Sequence, residues 1–231
     1  MTDAVRREPG VYERVGDALA TDGLSVRGGV CFDEAGPVVG GRPLKSLILI
    51  GHIGSPPWPN FQRFRRSYGG SDPLDAWSKH VIEPIAKAFS GVALYPFEKP
   101  WWPFQQWIKR SEGLKPSPLG ILIHPEFGLW HGYRAALGFD VPIRMPAPVS
   151  LPHACDACVD RPCIAACPAG ALTSGRFDIG PCRDHLAGET EPGGCMALGC
   201  ASRNACPVGK DYRYDEAQLR FHMATLTLPD R

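Results

Sequence analysis

Eight of the nine cysteines in this 231-residue chain fall between positions 155 and 206. A first run, Cys155, Cys158, Cys163 and Cys167, reads C-DA-C-VDRP-C-IAA-C-P. A second run is made of Cys182, Cys195, Cys200 and Cys206. It has twelve residues between its first two members and ends C-MALG-C-ASRNA-C-P. Thiolates at such spacing are soft donors for iron or zinc. A cubane [4Fe-4S] cluster needs four of them around one compact core. Closely spaced loop cysteines supply three, and the fourth arrives from elsewhere in the chain. Both runs close in Cys-Pro, at Cys167-Pro168 and Cys206-Pro207. A proline there turns the chain away and stops a helix from running back through the metal site. Eight thiols and two such endings favour two clusters, with zinc or a single cluster as the alternatives. Disulfides fit poorly, because nine is odd and MTDAVRREPG shows no apolar stretch of a signal peptide. The expected compartment is therefore the cytoplasm, where thiols stay reduced. Cys31 stands apart and reads as a small buried apolar residue.

The number and order of these cysteines resemble those of bacterial two-cluster ferredoxins, which use C-x2-C-x2-C-x3-C-P twice. The loops have grown here, with four residues rather than two before Cys163. In that pattern the fourth cysteine of each run ligates the other cluster. The resemblance thus implies one set of Cys155, Cys158, Cys163 and Cys206, and another of Cys182, Cys195, Cys200 and Cys167.

These thiols need a scaffold. Hydrophobic residues make up 44% of the chain, enough to fill a core, and 24 prolines and 26 glycines imply many turns. The formal charge of +1 gives no global field toward nucleic acid or an acidic membrane, and no apolar run reaches membrane-spanning length. Apolar spacing predicts a helix over 11–19 stopped by Gly23, a weak strand over 24–32 broken at Gly28-Gly29, and a central strand at 44–50 (LKSLILI). A glycine loop, 51–55, follows. Asp72-Pro73 predicts a capped helix kinked at Pro84. A strand at 92–97, a short helix from Pro103, a solvated loop at 111–118 and strands at 119–124 and 133–139 complete the first part. Residues 142–152 carry four prolines and read as a linker. Asp215 is placed to cap a last helix containing Leu219 and Met223.

With these elements placed, a second resemblance emerges. Residues 121–134, ILIHPEFGLWHGYR, resemble the cobalamin-processing proteins of the cobalamin C type, which carry I-H-P-x-F-G-G-W-x-x-x-R. SDPLD at 71–75, LILI at 47–50 and RYDEAQ at 213–218 are similar to that family's T-D-P-V-D, early apolar strand and R-Y-S-E-E-Q, in the same order. There are two departures: Leu129 replaces the second glycine of F-G-G-W, and the cysteine segment replaces the family's region between Arg134 and Arg213. That segment resembles the one in epoxyqueuosine reductase and the reductive dehalogenases, where a related cobalamin-binding fold is joined to two cubane clusters.

The resemblance implies an α+β, modified nitroreductase-like cobalamin-binding domain over residues 1–150. A ferredoxin-like two-cluster module is inserted at 151–210, and a terminal helix, 211–231, packs back on the first domain. It implies reductive removal of the upper axial ligand of base-off cobalamin, such as cyanide. The alternatives are a ferredoxin-like electron carrier or a corrinoid-dependent iron–sulfur reductase, and flavin, which related folds bind, stays open. His124 would lie near the corrin or its tail, with Phe127, Gly128 and Trp130 against its face. Their plain alternatives are a structural histidine and ordinary core. Arg134 matches the family arginine associated with glutathione use. With clusters as reductant it would hold a corrin amide or phosphate, and its plain alternative is an ion pair. His185 in DHLAG lies one residue too close to its aspartate for the lower-ligand motif D-x-H-x-x-G. Arg63, Arg65 and Arg66 read as a solvated loop. The expected partners are cobalamin and an external low-potential electron donor such as a ferredoxin or flavodoxin system, with no nucleic acid and no membrane.

Overall fold

The computed structural model describes residues 9–34, 36–147, 152–174, 176–189 and 192–226. The expected boundary at 150/151 lies outside them, as does the start of the chain. Two compact units emerge.

The first unit comprises residues 1–52, 56–113 and 132–149. It is built on a four-stranded sheet in the order Ser25–Cys31, Ser46–Ile53, His131–Phe139, Val92–Leu94. The apolar run at 47–50 is fully buried and takes an interior place in the sheet, as its two-sided hydrophobicity predicts. Its strand runs on through Ile53, so the glycine loop expected at 51–55 begins later. The first strand pairs with it antiparallel and slips register between Val26 and Gly29, where the glycine pair sits. Helix Val11–Ala20 buries Val15 and Leu19. Helix Pro73–Ala88 buries Trp77, Ser78, Val81, Ile82 and Ala86, each large apolar side chain contributing about 1.5–3 kcal/mol. It runs through Pro84, whose ring is on the exposed side. Asp72 is left-handed (φ 55°), and its carboxylate makes no capping bond to this helix.

Several expectations shift here. The strand at 92–97 is only Val92–Leu94. Cys31 is exposed, not buried, because it ends an outer strand, and its thiol faces the Ile143 carbonyl at 3.7 Å. Arg63, Arg65 and Arg66 lie on helix Trp58–Ser67 rather than in a loop.

The second unit comprises residues 53–55, 114–131 and 150–231. The strand expected at 119–124 shrinks to Leu122–Ile123, paired with Lys115–Pro116 across a tight turn, so 111–118 is not a solvated loop. The prolines at 116, 118 and 125 deny a longer ladder its donors. Four short helices follow, Pro162–Ala165, Ile179–Gly188, Cys195–Leu198 and Ala201–Asn204, then helix Glu216–Leu226. The Asp215 carbonyl accepts from Leu219 N at 2.9 Å and opens that last helix. Leu219 packs on Trp130 and Tyr214, and Met223 on Leu186 and Cys195. Among the described residues no helix is long and apolar enough to cross a membrane.

Candidate functional site

In the second unit, short loops and single helical turns aim thiols inward. Cys158 N donates to the Cys155 carbonyl at 3.3 Å, closing the first turn. Arg161 then takes a left-handed conformation (φ 41°), Pro162 opens a one-turn helix, and Cys163 is buried within it. Cys206 follows helix Ala201–Asn204, its N–H donating to the Arg203 carbonyl at 3.3 Å. Cys155, Cys158, Cys163 and Cys206 line one cavity, whose remaining wall includes Leu119, Ile123, Leu129, Pro207 and Val208. Burial pushes the Cys155 thiol up, and its neighbours Cys206, Cys163 and Cys158 add to the shift. Cys163 and Cys206 are raised first by burial too, with Cys158 adding to each.

The second set is built likewise. Cys182 rides on helix Ile179–Gly188, whose Asp178 cap accepts from Gly180 N at 3.2 Å. Cys195 opens a four-residue helix, and Cys200 precedes the next. The Cys182 thiol is pushed up to about 11, first by burial and then by Cys200, Cys167 and Cys195. Cys195 is raised by burial, with Cys200 and Cys167 among the added causes. The thiols that perturb one another therefore fall into two groups, and each contains the last cysteine of the other run.

Glu189 holds the second group in place. Its carboxylate accepts from Cys195 N at 2.8 Å and Met196 N at 2.6 Å. Burial alone would raise this carboxyl, but the two backbone donors and His185 outweigh it and hold it below the usual range. His185 Nε2 lies 3.3 Å from it, and single donor atoms of His185, Glu189 and Cys195 lie within 4.8 Å of one another.

The residues around 124–130 belong to this same unit. His124 Nδ1 accepts from Glu126 N at 3.1 Å and Phe127 N at 3.2 Å, which places its proton on Nε2. Its ring stacks on Phe127 at 4.1 Å, and Phe127 meets Tyr212 edge-on at 5.0 Å. Gly128 adopts φ +59°, and a Cβ there would run into the Val208 carbonyl, two residues past Cys206. Leu129 is buried among Cys163, Cys206, Leu119 and Ile123. Trp130 is 1% exposed, packed under Tyr214 and Leu219. Arg134 lies in the first unit, where it pairs with Asp75 at 2.6 Å and with Ser78 Oγ at 2.8 Å. Asp75 is the last residue of SDPLD, so two of the quoted motifs meet in one ion pair. Sequence reasoning missed Glu189.

The residues present suit an iron–sulfur group. Four thiols line the first cavity, which is walled largely by apolar side chains and so restricts water.

No protein-family model matches the chain, and no curated protein matches it. Solved structures do match its fold. The B12-trafficking protein CblC of C. elegans, described as a human MMACHC homologue, aligns with a TM-score of 0.51 and 13% identity over 94% of each chain. A selenomethionine-labelled epoxyqueuosine reductase aligns with a TM-score of 0.50 and 12% identity, over 91% of this chain and 69% of that one. An epoxyqueuosine reductase solved with a tRNA-Tyr stem loop aligns with a TM-score of 0.49 and 14% identity, over 95% and 70%. The chain therefore has a mixed α+β fold similar to CblC and epoxyqueuosine reductase. The exclusion of nucleic acid does not stand, because it rested on the net charge alone. Net charge averages over the whole chain, whereas Arg63, Arg65 and Arg66 are locally exposed on one helix.

Proposed function

We propose that residues 151–210 hold two [4Fe-4S] clusters, one on Cys155, Cys158, Cys163 and Cys206 and one on Cys182, Cys195, Cys200 and Cys167. The chain is then an oxidoreductase that binds cobalamin base-off and reductively removes its upper axial ligand. The observation that carries this reading is the packing of the first thiol group. One of its walls is Leu129, from the segment whose residues resemble a corrin-binding motif. Thiol site and residues 121–131 of that segment thus lie in one compact unit.

Bound clusters supply electrons one at a time. The chain's own residues do the rest. Cys155 to Cys206 hold the donor in an apolar pocket, and Leu129 separates it from Trp130 and the backbone beyond. His124, its Nδ1 accepting from Glu126 N and Phe127 N, would lie near the corrin periphery. Phe127 and Tyr212 add flat apolar surface beside it. The substrate step balances simply. One electron enters cyanocob(III)alamin and singly occupies an orbital antibonding along the axial direction, and cyanide leaves with cob(II)alamin as product. With no lower base donating to cobalt, that reduction is easier. Arg134 is already matched by Asp75, so it serves here as a structural cation rather than as a thiol receptor.

Anaerobic reconstitution tests the reading. Eight thiols in two groups predict about eight irons and about eight sulfides per chain. Added cyanocobalamin should bind with the spectrum of the base-off form. About four irons, or zinc in their place, would refute the ligand sets. Full iron with no cobalamin binding would leave an electron-transfer protein.

A further inference from the structure

Glu189 puts a buried negative charge beside the second thiol group. Its side chain is 6% exposed, and one carboxylate oxygen lies within 4.8 Å of the Cys195 sulfur. The carboxylate also accepts from Cys195 N and Met196 N, so these two N–H groups are not spent on sulfur. Burial opposes its ionisation, but the backbone donors and His185 outweigh burial and keep it charged at neutral pH. Burial comes first in pushing up the Cys195 thiol, and the Glu189 charge adds to it. Arg183 is the opposing charge here. It acts on Cys182, while its Nε donates to the Leu226 carbonyl at 3.1 Å.

The first thiol group meets charge of the other sign. Arg161 lines the cavity together with its four cysteines. Lys210 favours the Cys206 thiolate, and Arg161 the Cys155 thiolate, each against burial. Asp156 and Asp160 border the same turn, but both are exposed and neither lines the cavity. Nearby charge and hydrogen bonds to sulfur are among the levers that set a cluster's potential. A negative charge close by opposes the arrival of an electron, and a positive one favours it. We propose that Glu189 makes the second cluster the lower-potential member of the pair, while Arg161 raises the first. Both are positioning residues, and the proposal rests on the iron–sulfur reading above. An electron supplied to the second cluster then settles on the first, which Leu129 walls. In that hop the second cluster goes from [4Fe-4S]1+ to [4Fe-4S]2+ and the first from 2+ to 1+. No bond is made and no proton moves.

The test is an EPR-monitored redox titration of the reconstituted full-length protein, with iron counted in every sample. Cys155→Ala, which keeps only the second cluster, assigns the two signals. In wild type the second cluster should titrate at least about 59 mV below the first, a tenfold preference for a one-electron couple. Glu189→Gln keeps an acceptor oxygen and drops the charge, so it should raise the second midpoint and leave the first near its wild-type value. Arg161→Gln should lower the first midpoint alone, and Arg161→Lys should restore it. Equal or reversed midpoints in wild type overturn the proposal, whichever variants load iron. An unchanged second midpoint in fully loaded Glu189→Gln overturns it too, as does a shift in Arg161→Lys as large as that in Arg161→Gln. All three results leave the clusters in place. Wild-type protein that takes up no iron overturns the iron–sulfur reading itself, and this proposal with it.

Discussion

Cys206 and Cys167 each end one run of cysteines yet lie among the thiols of the other. Changing Cys206→Ser should therefore damage the cluster on Cys155, Cys158 and Cys163, and Cys167→Ser the one on Cys182, Cys195 and Cys200. EPR of the reduced variants checks this, and damage confined to the mutated residue's own run would contradict it. The protonation of these thiols adds a second prediction. Cys155, Cys163, Cys182, Cys195 and Cys206 all have raised pKa values, so in the metal-free chain they hold their protons at neutral pH. Ligation requires the thiolate and releases those protons. Cluster assembly should thus slow as pH falls and quicken as pH rises toward the Cys182 value of about 11. The initial rate should gain up to about tenfold per pH unit if one thiol limits it. Growth of cluster absorbance between pH 7 and pH 9 measures this, and a flat profile would contradict it. At this scale the sequence was informative about thiols, because spacing and Cys-Pro endings are local. It was silent on Glu189, whose role is to accept two backbone N–H groups six and seven residues away.

Among the elements, the contact between 127–128 and 208–209 joins the cobalamin-like segment to the last Cys-Pro. Gly128 and Gly209 both have positive φ, and each backbone fills the space where the other's Cβ would be. Gly128→Ala should cost about 1–3 kcal/mol, from the left-handed strain plus displacement of the Val208 carbonyl. Gly120→Ala is the control. Its φ is +76°, but open space surrounds it, so it should show the strain alone. Urea unfolding of the two variants separates the terms, and equal losses would show that the backbone contact carries no weight. Strand Ser46–Ile53 was legible as central because both its faces are apolar. The edge of the second unit was not: the run 119–124 looks like a strand by composition, but prolines limit it to two paired residues. Exposure of Cys31 was equally hidden, since it depends on which strand lies at the sheet's edge.

For the molecule as a whole, the resemblance carried by the cysteine runs and the scattered short motifs implied an α+β fold of the cobalamin-processing kind. The likeness to CblC and epoxyqueuosine reductase agrees at the level of fold. Which segments pack together was not legible. Residues 114–131 share a unit with the cysteines because Leu119, Ile123 and Leu129 bury against Cys163 and Cys206, a partnership that no local pattern encodes. That packing motivates the proposed cluster-driven cobalamin chemistry, since Ile123 and Leu129 of the candidate binding segment share one core with Cys163 and Cys206. The direct test mixes reconstituted, chemically reduced protein, freed of excess reductant, with cyanocobalamin under anaerobic conditions and without glutathione, following the visible spectrum and free cyanide together. Conversion to cob(II)alamin with cyanide released in equal amount is expected, and no conversion by the cluster-free protein. Conversion that survives loss of both clusters and requires glutathione would contradict it.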